Sequence, residues 1–324
     1  MPPRSLKLIL ADLVFLPAVF LAGTLLAFIK RRGLWKLPLC RSALWRAGVH
    51  PILDHYYEPL FHPRHLLRPL DAPRALPGID WNKTGQLELL AGMRNYPELL
   101  KIPWEKSEGD GFYYQNDNFS GGDADMLYHM IRHFRPARII EVGSGFSTRM
   151  AARAIADEQT ADPAYRCAQI CIEPYEMPWL ERLGATVIRQ RVETLDLAIF
   201  DQLAVNDLLF IDSSHVLRPQ GDVTHLVLEV LPRLQPGVLV HVHDIFSPRD
   251  YPAQWVVEMS RMWTEQYLLE AFLTENAQWE VLLALDHLWH EAPAALAARC
   301  PSMPGASGGC GSFYLRRKAP RPAA

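Results

Sequence analysis

From about residue 123 onward, apolar runs of strand length alternate with longer amphipathic stretches, and that alternation predicts a parallel α/β sheet. The runs that read as strands are Arg138–Val142, Gln169–Glu173, Thr186–Arg189, Asp207–Ile211, Val238–His243, Glu280–Leu285 and Ser312–Arg316. Helices are predicted over Asp123–Phe134, Ser147–Ala156, Met177–Leu183, Val223–Leu234 and Ala253–Glu275. The last two strands flank Ala292–Gly311, rich in Pro, Gly, Ala and Ser. Gly308-Gly309 is its turn signal, so these strands are expected to pair antiparallel.

The N-terminal pattern is different. Leu8–Ile29 is 22 residues with one charge, Asp12. As a helix it would span roughly 33 Å, the thickness of a hydrocarbon core. A membrane anchor is expected, although Pro17, Gly23 and Asp12 also suit a bent hairpin in one leaflet. Arg4 and Lys7 precede the run, whereas Lys30, Arg31, Arg32, Lys36, Arg41 and Arg46 follow it; that bias places the body of the chain on the cytoplasmic side of an inner or plasma membrane. Residues 31–110 read as a basic, proline-bearing connector with aromatic pieces (Trp35, Trp45, His55-Tyr56-Tyr57, Trp81, Trp104) and a short helix at Lys83–Met93. The expected partition is an anchor at 1–30, this connector, a globular domain at 111–318 and a tail at 319–324, with no internal repeat.

Composition narrows the partners. A hydrophobic share of 49% with 21% charged residues is ordinary globular usage, and a net charge of −3 provides no basic field for nucleic acid. Five widely spaced cysteines without a CxxC pair argue against a disulfide framework and for a reducing compartment.

The chemistry-bearing motif closes the first predicted strand: Glu141-Val142-Gly143-Ser144-Gly145-Phe146-Ser147-Thr148. Gly143 and Gly145 allow close backbone approach to a ligand, and Ser147 or Thr148 can cap a helix whose free N–H groups face it. A dinucleotide dehydrogenase would carry a third glycine where Thr148 stands. Glu141 opens this motif instead, and Glu173 ends the second strand, where a carboxylate can accept hydrogen bonds from both ribose hydroxyls.

These residues resemble the class I S-adenosylmethionine-dependent methyltransferases, in the bacterial branch related to small-molecule O-methyltransferases of the catechol type. The resemblance spans about 105–317. It rests on Glu141-Val142-Gly143-Ser144-Gly145, Ile172-Glu173-Pro174, Leu209-Phe210-Ile211-Asp212-Ser213-Ser214-His215, and Leu234-Gln235-Pro236-Gly237 ahead of His241-Val242-His243-Asp244. It implies a Rossmann-like seven-stranded sheet with a reversed last strand. Gly143 and Gly145 would lie under the methionine part of S-adenosylmethionine, with Glu173 on its ribose. Glu141 would orient the loop, and Asn118–Asp123 would close over the methyl donor.

Asp212 and Asp244 end the fourth and fifth strands, next to the crevice where open α/β sheets bind ligands. Metal-dependent relatives use such carboxylates to hold a divalent ion such as magnesium, but His243 occupies the position before Asp244, and a metal stays open on the sequence alone. General-base catalysis is the other route. His215 and His243 are the candidates, His243 being nearer the strand end than His241, and an ordinary imidazole pKa near ~6.5 would suit them to remove a hydroxyl proton. The residues expected to carry catalysis are Asp244, His243 and His215, with Glu141, Gly143, Gly145, Ser147, Glu173 and Asp212 on the cofactor. The acceptor is expected to be a small molecule, a glycan or a lipid-linked hydroxyl compound. The competing readings are a nicotinamide-dependent oxidoreductase and a non-catalytic membrane-anchored binding module.

Overall fold

The protein is described by a computed structural model over residues 5–55, 57–59, 61–106, 109–175, 177–303 and 310–319. The chain divides into two compact units, Met1–Pro69 and Leu70–Ala324. Arg4, Tyr56, Gly308-Gly309 and 320–324 lie outside the described residues.

In the first unit, helix α1 runs Leu6–Gly33, its N-terminal N–H of Leu8 capped by Ser5 Oγ at 3.4 Å. The stretch Leu6–Lys36 has mean hydropathy 2.2 with none of its most apolar window buried, so it is long and apolar enough to cross a bilayer. A helix apolar on every side has no polar face to turn to water. Lys30, Arg31 and Arg32 close its last turn, where cations oppose the negative helix end. A second helix, α2 (Pro38–Arg46), follows, with Arg41 over the Trp45 ring at 5.2 Å.

The second unit is built on a seven-stranded sheet: β1 (Arg138–Val142), β2 (Ala168–Ile172), β3 (Thr186–Ile188), β4 (Leu208–Ile211), β5 (Leu239–Val242), β6 (Trp279–Ala284) and β7 (Phe313–Arg317). Their order is β3-β2-β1-β4-β5-β7-β6, with the first five parallel and β7 antiparallel to both β5 and β6. The expected antiparallel pair is present, and β7 also wedges between β5 and β6, which the sequence did not reveal. Central strands are apolar at consecutive positions because both faces are covered. Ile139, Leu208 and Phe210 enter one core layer while Ile140, Leu209 and Ile211 enter the other.

The first layer is covered by α4 (Gly121–Phe134), α5 (Phe146–Ala161) and the short α8 (Leu285–Glu291) and α9 (Pro293–Ala297). The second is covered by a helix that starts as α6 (Asp222–His225), widens to a π-turn at Leu226–Val230 and ends at Arg233, and by α7 (Glu265–Leu273). Strand order reverses between β1 and β4, which opens a crevice at their carboxyl ends.

Several elements differ from the sequence expectation. The single helix expected over Ala253–Glu275 is broken into a π-turn at Gln254–Glu258, an irregular strap at 259–264, and α7. Ser260 has φ of 52°, and the N–H groups of Thr264 and Glu265 donate to the His215 carbonyl at 2.8 and 3.1 Å, a tertiary capture no local pattern encodes. Met177–Leu183 forms only a 3-10 turn at Leu180–Leu183. The start of the loop expected after Ala292 is helical, because Leu296 finds a buried site.

Residues 70–106 pack into the large unit instead of linking to it. Helix α3 (Lys83–Gly92) sends Gln86 to the edge strand: its side-chain oxygen accepts from the Ala284 N–H at 2.8 Å, and Leu90, Met93, Leu99 and Ile102 join the core. These contacts are scattered singly over a polar stretch and give no periodic signal.

Candidate active site

At the end of β1 the glycine loop is held by buried acids. Glu141 is 1% exposed; it accepts from Ser147 Oγ at 2.5 Å and Thr148 Oγ1 at 2.7 Å, while Thr148 Oγ1 also accepts from the Gly145 N–H at 3.0 Å. Burial pushes the Glu141 carboxyl up to about 7, against the pull of the two hydroxyls. Glu141 thus orients the loop, Thr148 caps α5, and Ser147 serves Glu141.

The two glycines do different work. Gly143 has φ of 76°, and a Cβ there would meet the Asp212 carbonyl oxygen at 1.8 Å, so this glycine is required by the approach of β1 to β4. Around Gly145 a Cβ would find only Met177 Cε, at 3.8 Å, leaving open space over the turn. Glu173 ends β2, where its carboxylate accepts from the N–H groups of Ser144 (3.3 Å) and Tyr175 (2.9 Å). It also lines a crevice of about 360 Å³ together with Gly143, Tyr175, Arg191 and Asp212.

At the ends of β4 and β5 the polar groups come from distant segments. His215 Nε2 faces Asp212 Oδ1 at 3.3 Å and Asp244 Oδ2 at 3.5 Å, and its Nδ1 lies 2.8 Å from Glu265 Oε2. His243 Nδ1 is 3.3 Å from Asp244 Oδ1 and 3.7 Å from Asp212 Oδ1; its Nε2 is 3.8 Å from Asp123 Oδ2. Neither His243 ring nitrogen has a hydrogen bond, although the residue is only 6% exposed. Burial would lower both histidines, but Asp212 and Glu265 push His215 up to about 10, and Asp244 with Asp212 hold His243 well above its ordinary value. Burial would raise Asp212, yet His243 and His215 keep it below the usual carboxylate range. The neutral imidazole expected from an ordinary pKa is therefore not the resting form of either residue at neutral pH.

His241 is set apart. It stacks on Phe210 at 4.0 Å, accepts from or donates to Ser312 Oγ at 2.9 Å, and burial pushes it well below its ordinary value.

The nine expected site residues lie at or next to the β1, β2, β4 and β5 ends; Gly143, Glu173 and Asp212 line the crevice, whereas Glu141 and Ser147 are buried and bonded to each other. Glu265, Arg191 and Tyr175 escaped sequence reasoning because each sits outside the strand-end motifs. Asp123 belongs to the segment expected to close over the methyl donor; it fastens the start of β7 by accepting from the Gly311 (3.1 Å) and Ser312 (2.8 Å) N–H groups, while Phe119 packs on His243 at 5.2 Å.

Residues 140–245, which span the glycine loop and both acidic strand ends, match the sequence model of a family described as "Methyltransferase domain". The matched stretch runs from β1 to the end of β5 of the seven-stranded sheet, and this part of the chain is similar to methyltransferase domains. An uncharacterized protein of Archaeoglobus fulgidus is 35% identical over 137 residues, 40% of this chain and 60% of the relative. This chain thus spans under two thirds of that relative's length. Among solved structures, similarity is found to an O-methyltransferase from Bacillus cereus in complex with SAH (12% identity, 72% of this chain and 91% of that one, TM-score 0.36). A putative methyltransferase from Thermobifida fusca is also similar (13% identity, 77% and 96%, TM-score 0.34).

The strand ends offer features that suit a nucleoside-type ligand. Glu173 lines the crevice at the end of β2, and the space over Gly145 admits a ligand against the backbone. A divalent cation also has candidate ligands: one donor atom each from Asp212, His215 and Asp244 lies within 4.8 Å of the others, with Glu265 behind the imidazole as an outer carboxylate.

Proposed function

We propose that the protein is an O-methyltransferase, transferring the methyl group of S-adenosylmethionine to a hydroxyl of a small-molecule, glycan or lipid-linked acceptor. The observation that carries this reading is the convergence of Asp212, His215, His243 and Asp244 at the β4 and β5 ends, Asp212 also lining the crevice. The hydroxyl oxygen bonds to the methyl carbon, the C–S bond breaks with its electron pair returning to sulfur, and the hydroxyl proton passes to the cluster. Asp244, held between the two imidazoles, is the assigned proton acceptor, and His215 and His243 hold the reacting oxygen. The sulfonium is already a strong leaving group, so alignment of oxygen, methyl and sulfur supplies much of the rate.

A second reading is favoured by the mutual closeness of the Asp212, His215 and Asp244 donor atoms. A divalent ion such as magnesium held there would lower the pKa of the acceptor hydroxyl. His243 and Glu265 would then orient the carboxylates and the imidazole.

Thr148, where a dinucleotide fold wants its third glycine, spends its hydroxyl on Glu141 and Gly145, which disfavours a nicotinamide cofactor. Helix α1 supports anchoring in an inner or plasma membrane, with the methyltransferase domain on the cytoplasmic side given the basic residues that follow it. The test is methyl transfer from labelled S-adenosylmethionine into extracts with and without EDTA, beside a thermal shift with S-adenosylmethionine, S-adenosylhomocysteine and NAD. A labelled hydroxyl product is expected, EDTA sensitivity separates the two readings, and a thermal response to NAD alone or to nothing overturns both.

A further inference from the structure

The strap that interrupts the expected helix brings an unusual group to the edge of this site. Trp263 lies with its ring centroid 4.2 Å from that of His215. Trp255 meets Trp263 edge-on at 5.0 Å, and the buried Phe246 meets Trp255 edge-on at 5.3 Å. The Arg261 guanidinium sits over both indoles, 4.7 Å from the Trp255 ring and 4.4 Å from that of Trp263. The Arg261 N–H donates to the Trp255 carbonyl at 2.9 Å, which closes the strap and fixes the arginine over the rings.

The charge distribution makes Arg261 distinctive. Asp212, Asp244 and Glu265 are close by in the cluster, but all three are engaged with histidines. Asp250 lies beside Arg74 and accepts from the Tyr267 hydroxyl. Among the described residues Arg261 makes no ion pair, and its guanidinium has no side-chain hydrogen bond. A guanidinium presents five N–H donors in a planar fork suited to carboxylate or phosphate. Held on two indoles, it loses little further freedom on binding an anion.

We infer that Trp255, Arg261 and Trp263 form the acceptor subsite and that the acceptor carries an anionic group, a carboxylate or a phosphate, next to the ring that bears its reacting hydroxyl. This rests on the methyltransferase reading above. The anion pairs with Arg261, the ring lies along the indoles, and the hydroxyl is directed past Trp263 toward His215 and Asp244. A neutral acceptor would leave Arg261 unpaired and gain only the stacking.

The test uses the full chain in detergent, saturated with S-adenosylhomocysteine and titrated by calorimetry with matched probes: glucose, glucuronate and glucose 6-phosphate, and catechol with protocatechuate. Anionic members are expected to bind about tenfold or more tightly than their neutral partners. The glucuronate and phosphate arms identify which anion is preferred. Arg261→Gln should erase the difference and Arg261→Lys retain part of it, with S-adenosylhomocysteine affinity unchanged in both. Equal binding of neutral and anionic probes, binding of none, or a preference that survives Arg261→Gln overturns the inference alone. Failure of S-adenosylhomocysteine to bind the unaltered chain overturns the methyltransferase reading and this inference with it.

Discussion

The β1 end and the β4/β5 ends of the same sheet solve opposite problems. At β1 the buried acid Glu141 is satisfied by hydroxyls six and seven residues away, and burial favours its neutral form. At β4 and β5 four acids and two imidazoles from four segments meet at 2.8 to 3.8 Å, and neither His243 nitrogen is hydrogen-bonded. The first region is finished when the chain folds. The second is held charged, and charge that the protein leaves incompletely paired is available to a reacting group.

The comparison breaks most sharply at Gly143. Gly143→Val puts a side chain into the Asp212 carbonyl and onto a left-handed backbone; loss of folding or of all S-adenosylhomocysteine binding is expected in a melt with titration. Undiminished cofactor affinity would remove the structural role given to this glycine.

Asp244→Ala is next. Methyl transfer should fall by about 10²-fold or more, while S-adenosylhomocysteine affinity stays near that of the unaltered chain. Equal losses of binding and turnover would show that the two regions are not separable.

Glu141→Gln tests the neutral character of the β1 end. Folding raises this carboxyl from its ordinary value to about 7, so the folded form retains a proton that the unfolded form has lost, and stability falls as pH rises through that interval. The glutamine variant should gain on the unaltered protein between pH 5 and 7.5 by up to roughly 3 kcal/mol and hold a constant offset above that, read by denaturant titration at each pH. A pH-independent offset would mean that Glu141 is ionised throughout.

The smallest effect is expected at Gly145. Gly145→Ala meets no close atom, so the melting temperature should move little while S-adenosylhomocysteine binding weakens severalfold. Unchanged binding would place the ligand away from this turn.

Much of the sheet was legible because strands buried on both faces are written as contiguous apolar runs: β1 agrees residue for residue, and β2 to β7 agree to within one residue at every end. The strand-end acids were legible for a related reason, since each follows such a run directly. Glu265 was not. It lies at the start of α7, fifty positions from His215, and only the broken helix and the capture of residues 264 and 265 by the His215 carbonyl bring it there. Residues 70–106 were misleading in the same way: Gln86 reads as a solvated helix position but is bonded at both ends of its amide to Trp81 and Ala284.

By itself the sequence determined the apolar N-terminal helix, the α/β class, the glycine turn and the identity of the strand-end acids. All of these depend on periodicity or on neighbours within a few residues, and such signals survive in a linear string. The tertiary structure alone decided that β7 enters between β5 and β6, that Gly143 answers to the Asp212 backbone, that His215 and His243 are held cationic, and that Arg261 comes to rest on two indoles beside them. Each of these depends on a distance between atoms far apart in the chain, and burial and charge act through that distance.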